Sequence, residues 1–150
     1  MIARFVRKDH SWFMRAIGWL LETTTITPHF MTRFWTTIGN RIYYPIDIVN
    51  PKSPQYKGIR DHEEMHVEQA FHLGCGCWVL GTIIMAFAYI LFPLPVFFSG
   101  RWLLEREPYL HDIQTGRVSL EYAVETLHKN YLRPWPKKWM KKWFENHLEE

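Results

Sequence analysis

Cysteine is nearly absent: the chain has 2 in 150 residues, Cys75 and Cys77, separated by a single glycine. Neighbours that close do not reach good disulfide geometry. The sequence therefore has none of the covalent framework that staples small secreted domains. The pair reads as reduced thiols in an apolar stretch, compatible with a cytosol, and its spacing is not that of a structural zinc site. Charge of one sign is scarce too. The 18 Lys and Arg against 15 Asp and Glu leave a net charge of +3. That is too mild for the basic footprint of a nucleic-acid binder, and no nucleic acid is expected as a partner. Repeats and low-complexity linkers are also missing, so one domain over residues 1–150 is expected, large enough to bury a core. Residues 1–25 carry charges throughout and show no apolar core followed by a small-residue cleavage site, so no signal peptide is expected.

Aromatic and apolar residues are abundant. The chain is 47% hydrophobic and 17% aromatic, with 8 Trp, which excludes an intrinsically disordered chain. So many tryptophans imply a packed interior, a partner surface or a membrane-interface surface. Leu73 to Phe98 contains no charge at all. Gly74 and Gly76 interrupt its start, and Pro93 and Pro95 end it. The remaining stretch from Cys77 to Phe92, about sixteen residues, is just short of a comfortable membrane span. A buried core helix and a membrane-contacting segment both fit it.

The periodicity predicts a mainly helical α+β fold. An amphipathic helix is expected over residues 9–23, capped by Asp9 or Ser11, with Phe13, Ile17, Leu20 and Leu21 as its apolar stripe. Residues 34–49 favour β-structure, with a turn at Gly39-Asn40. Pro45 makes this an edge strand or ends its first part. A polar loop then leads into a helix that begins near residue 60. Further helices are expected over 101–114, 118–132 with Ser119 as cap, and 137–150. In the last, Trp139, Trp143 and His147 form one row and Met140, Phe144 and Leu148 the next. Its lysines suit either a helix docked on the core or one lying on an anionic membrane surface.

The chemistry is concentrated in residues 60–72, RDHEEMHVEQAFH. His62 and His66, four apart, share one helix face. Two imidazoles so placed can bind one tetrahedral zinc ion. Glu63 falls about 100° round the helix, beside the ion, where its carboxylate can act as a general base on water. This is the H-E-x-x-H pattern with its mechanical logic intact. A polar motif of this kind does not sit inside a bilayer, which argues against an intramembrane protease.

A catalytic zinc generally needs a third protein ligand. His72 stands where metzincins place their third histidine, but Gln69 occupies the position of the glycine that turns their chain back. On a continuous helix His72 lies about 120° off the face of His66. Glu105, on a separate downstream helix, can close the site, with Glu107 as the alternative. The arrangement resembles gluzincins, the thermolysin-like zinc peptidases, whose third ligand is a downstream glutamate. Their supporting Asp four residues later is replaced here by Tyr109.

Residues 40–115 also resemble small metallopeptidase-like proteins of phages and bacteria. The resemblance rests on Tyr44-Pro45, His62 to Gln69, Leu94-Pro95, and Arg101, Glu105, Glu107 and Tyr109, with Pro108 where those proteins have Ala. It implies a minimal zincin core: an edge strand over the motif helix plus a helix bearing the glutamate. The expected function is a zinc-dependent metallopeptidase acting on peptide or protein, with metal ligands His62, His66 and Glu105 and catalytic residues Glu63 and Tyr109. Tyr109, His111 or His72 would serve as oxyanion donor. The strand near residues 41–48 would pair with an extended substrate. Two other readings stand beside this one. One is a catalytically silent component of a larger assembly such as a phage particle. The other is a membrane-attached protein held by residues 73–98 and 137–150. The expected location is cytoplasmic or virion-associated, or on a membrane.

Overall fold

The computed structural model describes residues 3–24, 28–90, 100–130 and 136–148. They form two compact units, 1–68 and 69–150. The division falls within one continuous helix. As expected, the fold is mainly helical with a small sheet.

The first unit opens with β1 (Arg4–Arg7), followed by a 3-10 turn at Lys8–His10 and helix α1 (Trp12–Thr23). The short helix α2 (Phe30–Arg33), strands β2 (Thr36–Ile38) and β3 (Arg41–Tyr44), and helix α3 (Lys57–Leu73) come next. Ser11 caps α1, its Oγ accepting from the Met14 N–H at 3.3 Å. β2 and β3 form an antiparallel hairpin in which Ile38 pairs with Arg41. Gly39 takes φ 59° at the first position of the two-residue turn, a conformation glycine adopts without strain.

The structure corrects the expected edge strand. The sheet order is β1-β3-β2, so β3 is the central strand, not an edge. Its other neighbour is β1, paired in parallel with Phe5 opposite Ile42. Pro45 ends β3 because it has no N–H to give to the ladder. Residues 46–49 leave the sheet in a turn, where the Ile48 N–H bonds the Pro45 carbonyl.

The expected stripe of α1 is corrected at two of its four positions: Ile17 and Leu21 pack on the core, whereas Phe13 and Leu20 do not. Met14 and Gly18 are buried while Phe13 and Leu20 are exposed, as are Trp12 and Trp19 at 74% and 70%. The helix is apolar on nearly every side, so close approach selects the face. A Cβ on Gly18 would lie 2.6 Å from Met31 Sδ, which shows how tightly that side packs. The core here is Met14, Phe30 and Tyr43, with Val6, Ile17, Leu21, Met31 and Ile38 against it.

The second unit holds the end of α3 and helices α4 (Trp78–Ile90), α5 (Gly100–Gln114), α6 (Leu120–Asn130) and α7 (Lys137–Leu148). Ser119 caps α6, accepting from the Tyr122 N–H at 3.1 Å. The main core joins Trp102, Ala123, Val124, Leu127, Met140 and Phe144. On α7 Met140 and Phe144 are buried in this core, and Trp143 packs against it while stacking on His147 at 4.1 Å. Ala70, Met85 and Leu104 form a second cluster. There α3 and α4 cross so closely that a Cβ on Gly81 would lie 1.6 Å from the Ala70 carbonyl oxygen, so only glycine fits.

Of the charge-free stretch, α4 is described and residues 91–98 lie outside the described residues. Among the described residues no single helix is long and apolar enough to cross a membrane. The helix is not wholly buried either: Val79, Leu80, Ile83 and Phe87 are exposed along one side.

A candidate metal centre

Helix α3 runs unbroken from Lys57 to Leu73, passing Gln69 without a turn. That continuity fixes the geometry of the motif. The rings of His62 and His66 stand edge to face, with centroids 5.2 Å apart. His66 is buried and His62 half-buried. His72, on the last turn, is exposed and its ring stands edge-on to Phe71.

Glu105, on α5, is buried, as is its neighbour Leu104. One ligand atom each from His62, His66 and Glu105 lies within 4.8 Å of the other two. A tetrahedral zinc with bonds near 2.0–2.2 Å needs donor atoms about 3.4 Å apart. Two imidazole nitrogens and one carboxylate oxygen form a donor set that suits zinc. The same group excludes His72, and it excludes Glu107, whose side chain is half exposed and turned to other partners. Glu107 accepts a hydrogen bond from Gln69 Nε2 at 3.3 Å and lies 4.0 Å from the Arg106 guanidinium.

Glu63 points from α3 toward the sheet. Thr37, in β2, donates its hydroxyl to Glu63 Oε2 at 2.6 Å. The same hydroxyl oxygen is 3.3 Å from the Glu63 carbonyl. This contact to the motif helix comes from the three-residue β2. Thr37 was invisible in the sequence because nothing local links it to residue 63. Lys8 is a second residue with no sequence signal. Its side chain is fully buried, donating from Nζ to the Phe30 carbonyl at 2.7 Å and lying 3.5 Å from the centre of the Phe30 ring. Burial pulls its pKa from 10.5 down to about 8, and the charges of Glu63 and Glu22 oppose that shift.

Tyr109 follows Glu105 by four residues on α5. Its ring is half-buried and packs against the Trp102 core of the second unit. His111 is likewise half-buried, its backbone carbonyl accepting from Thr115. Cys75 and Cys77 are free and exposed.

The chain matches no protein-family profile, no characterised protein and no solved structure. The case for its chemistry therefore rests on the site itself.

Proposed function

We infer that the chain is a zinc-dependent hydrolase of the metallopeptidase type. The observation that carries this reading is the convergence of His62, His66 and Glu105 ligand atoms within 4.8 Å, with Glu63 next to His62 on the same helix. A zinc ion held there supplies Lewis-acid polarisation of a substrate carbonyl and makes water easier to deprotonate. His62 and His66 each offer a neutral imidazole nitrogen and Glu105 a carboxylate oxygen. Glu63 takes the proton of the attacking water and then gives it to the leaving amine as the amide C–N bond breaks. The hydrogen bond from Thr37 occupies Oε2 of Glu63, which fixes the carboxylate and leaves Oε1 for the proton.

The substrate class is peptide or protein. Among the described residues the outer side of β2 is unpaired, and an extended peptide can add to a sheet there. This edge replaces β3 in the proposal because β3 is paired on both sides.

The test combines metal content with a base variant. Purified protein, never exposed to chelators, is expected to hold about one zinc per chain, the stoichiometry of one such site. His62→Ala loses it. Glu63→Gln keeps both zinc and stability and loses all hydrolysis of a broad peptide library. Protein prepared this way without zinc contradicts the reading. Zinc-loaded wild type that cleaves no peptide favours the alternative of a silent structural component in a larger assembly.

A further inference from the structure

Two residues of the chain stand apart from the patterns they otherwise follow. Gln69 occupies the place of the glycine that turns the metzincin chain. Pro108 lies inside a helix, where proline is normally excluded. The second unit joins them. Proline has no N–H, so Pro108 cannot bond the carbonyl four residues earlier, and its ring crowds that carbonyl. The carbonyl belongs to Leu104. Leu104 and Pro108 are both buried, in a setting where water is a poor substitute donor. A buried acceptor that loses its donor is destabilising. Gln69 Nε2 supplies the replacement, donating to Leu104 O at 2.9 Å. The amide nitrogen carries two hydrogens, and Glu107 Oε2 lies 3.3 Å from it. Ala70, Met85 and Leu104 form a buried cluster at the residues next to this part-buried contact.

The pinned carbonyl is that of the residue immediately before Glu105. We propose that Gln69 is a positioning residue for Glu105, using the acceptor that Pro108 frees to lock the α5 backbone at the third ligand onto the helix that carries His66. This rests on the zinc-site reading above. The proline and the glutamine then form one device: the first exposes an acceptor and the second captures it. Helix α3 must stay straight for this, because a glycine turn at residue 69 would remove the amide.

A double-mutant cycle tests the pairing. Gln69→Met keeps length and helix propensity and removes the donor. Pro108→Ala returns an N–H to Leu104. Each single variant and the double variant are measured in two ways: denaturant unfolding of the metal-free chain, and zinc affinity by competition with a chromophoric chelator. Gln69→Met alone is expected to weaken zinc binding about 10-fold, the loss typical of residues that orient a ligand. With Pro108→Ala also present, the Gln69→Met loss should shrink to under about threefold, and the stability cost should shrink with it. If Gln69→Met does not fold, Pro108→Ala is expected to restore folding, and failure to do so counts against the pairing. Equal costs in both backgrounds overturn the proposal. Coupling in stability with unchanged zinc affinity overturns the positioning role. If the wild type takes up no zinc, the hydrolase reading fails, while the metal-free cycle still decides whether Gln69 and Pro108 act together.

Discussion

The two carboxylates of the centre are held by contrasting means. Glu63 sits one residue after His62, and helix α3 alone sets its direction. What it gains from elsewhere is polar: a hydroxyl from Thr37 and the nearby charge of buried Lys8. Glu105 lies far from the motif in sequence, on α5. It depends on α5 packing through Ala70, Met85 and Leu104, and on an amide that reaches the backbone beside it. The proposed base is thus placed by sequence proximity and touched by polar contacts from the sheet side. The proposed third ligand sits on a helix held by a packed core. Substitutions on the base side should change pH behaviour and local stability without touching metal binding. Substitutions on the ligand side should change metal binding first.

Lys8→Met gives the largest effect expected on the base side. The ammonium has a native pKa of about 8 against 10.5 for the unfolded chain. Below pH 8 both states hold the proton, and the native state bears the full cost of burying it. Between pH 8 and 10.5 the unfolded chain holds a proton that the native chain has released, so stability rises with pH across that window. At 1.36 kcal/mol per pH unit the rise is on the order of 3 kcal/mol. Lys8→Met should remove it. Urea unfolding at pH 7 and at pH 10.5 would show the variant ahead of wild type at the lower pH, with the gap narrowing at the higher. A constant gap would mean that Lys8 is not the buried cation described.

A smaller effect is expected from Thr37→Val, which keeps the β-branched shape of the strand and removes the hydroxyl. Loss of a hydrogen bond to a partly exposed carboxylate should cost about 1 kcal/mol. Zinc affinity should not move, since Glu63 lies outside the group His62, His66 and Glu105. A loss of zinc binding as large as that of a ligand variant would erase the contrast between the two sides.

The same contrast explains what could be read from the chain before its fold was known. The motif helix, the caps at Ser11 and Ser119, the hairpin turn at Gly39-Asn40 and the helices of the second unit follow from local periodicity and turn chemistry, and they stand where expected to within a few residues. The pairing of β1 was missed. Arg-Phe-Val-Arg is only four residues long, and its partner lies in parallel across the whole of α1. Without β1 the central strand looked like an edge, and Pro45 strengthened that impression. The exposure of Phe13 and Leu20 on α1 was missed because both look like core residues, and only Gly18 marks the side that can pack closely. In the centre, His62, Glu63 and His66 were legible from spacing. Glu105 came from resemblance, since no local pattern marks a ligand so far along the chain. Thr37, Lys8 and the link from Gln69 to Leu104 carry no local signal at all, because each is a contact between segments distant in sequence.

The claim on which the account turns is that the third ligand is Glu105 and that helix α3 does not bend back to use His72. Competition titration of zinc against both variants measures this directly. Glu105→Ala should weaken binding by at least about 10-fold, beyond the lower bound for residues that merely orient a ligand. His72→Ala should leave affinity nearly unchanged. A large loss in His72→Ala with none in Glu105→Ala would contradict the account.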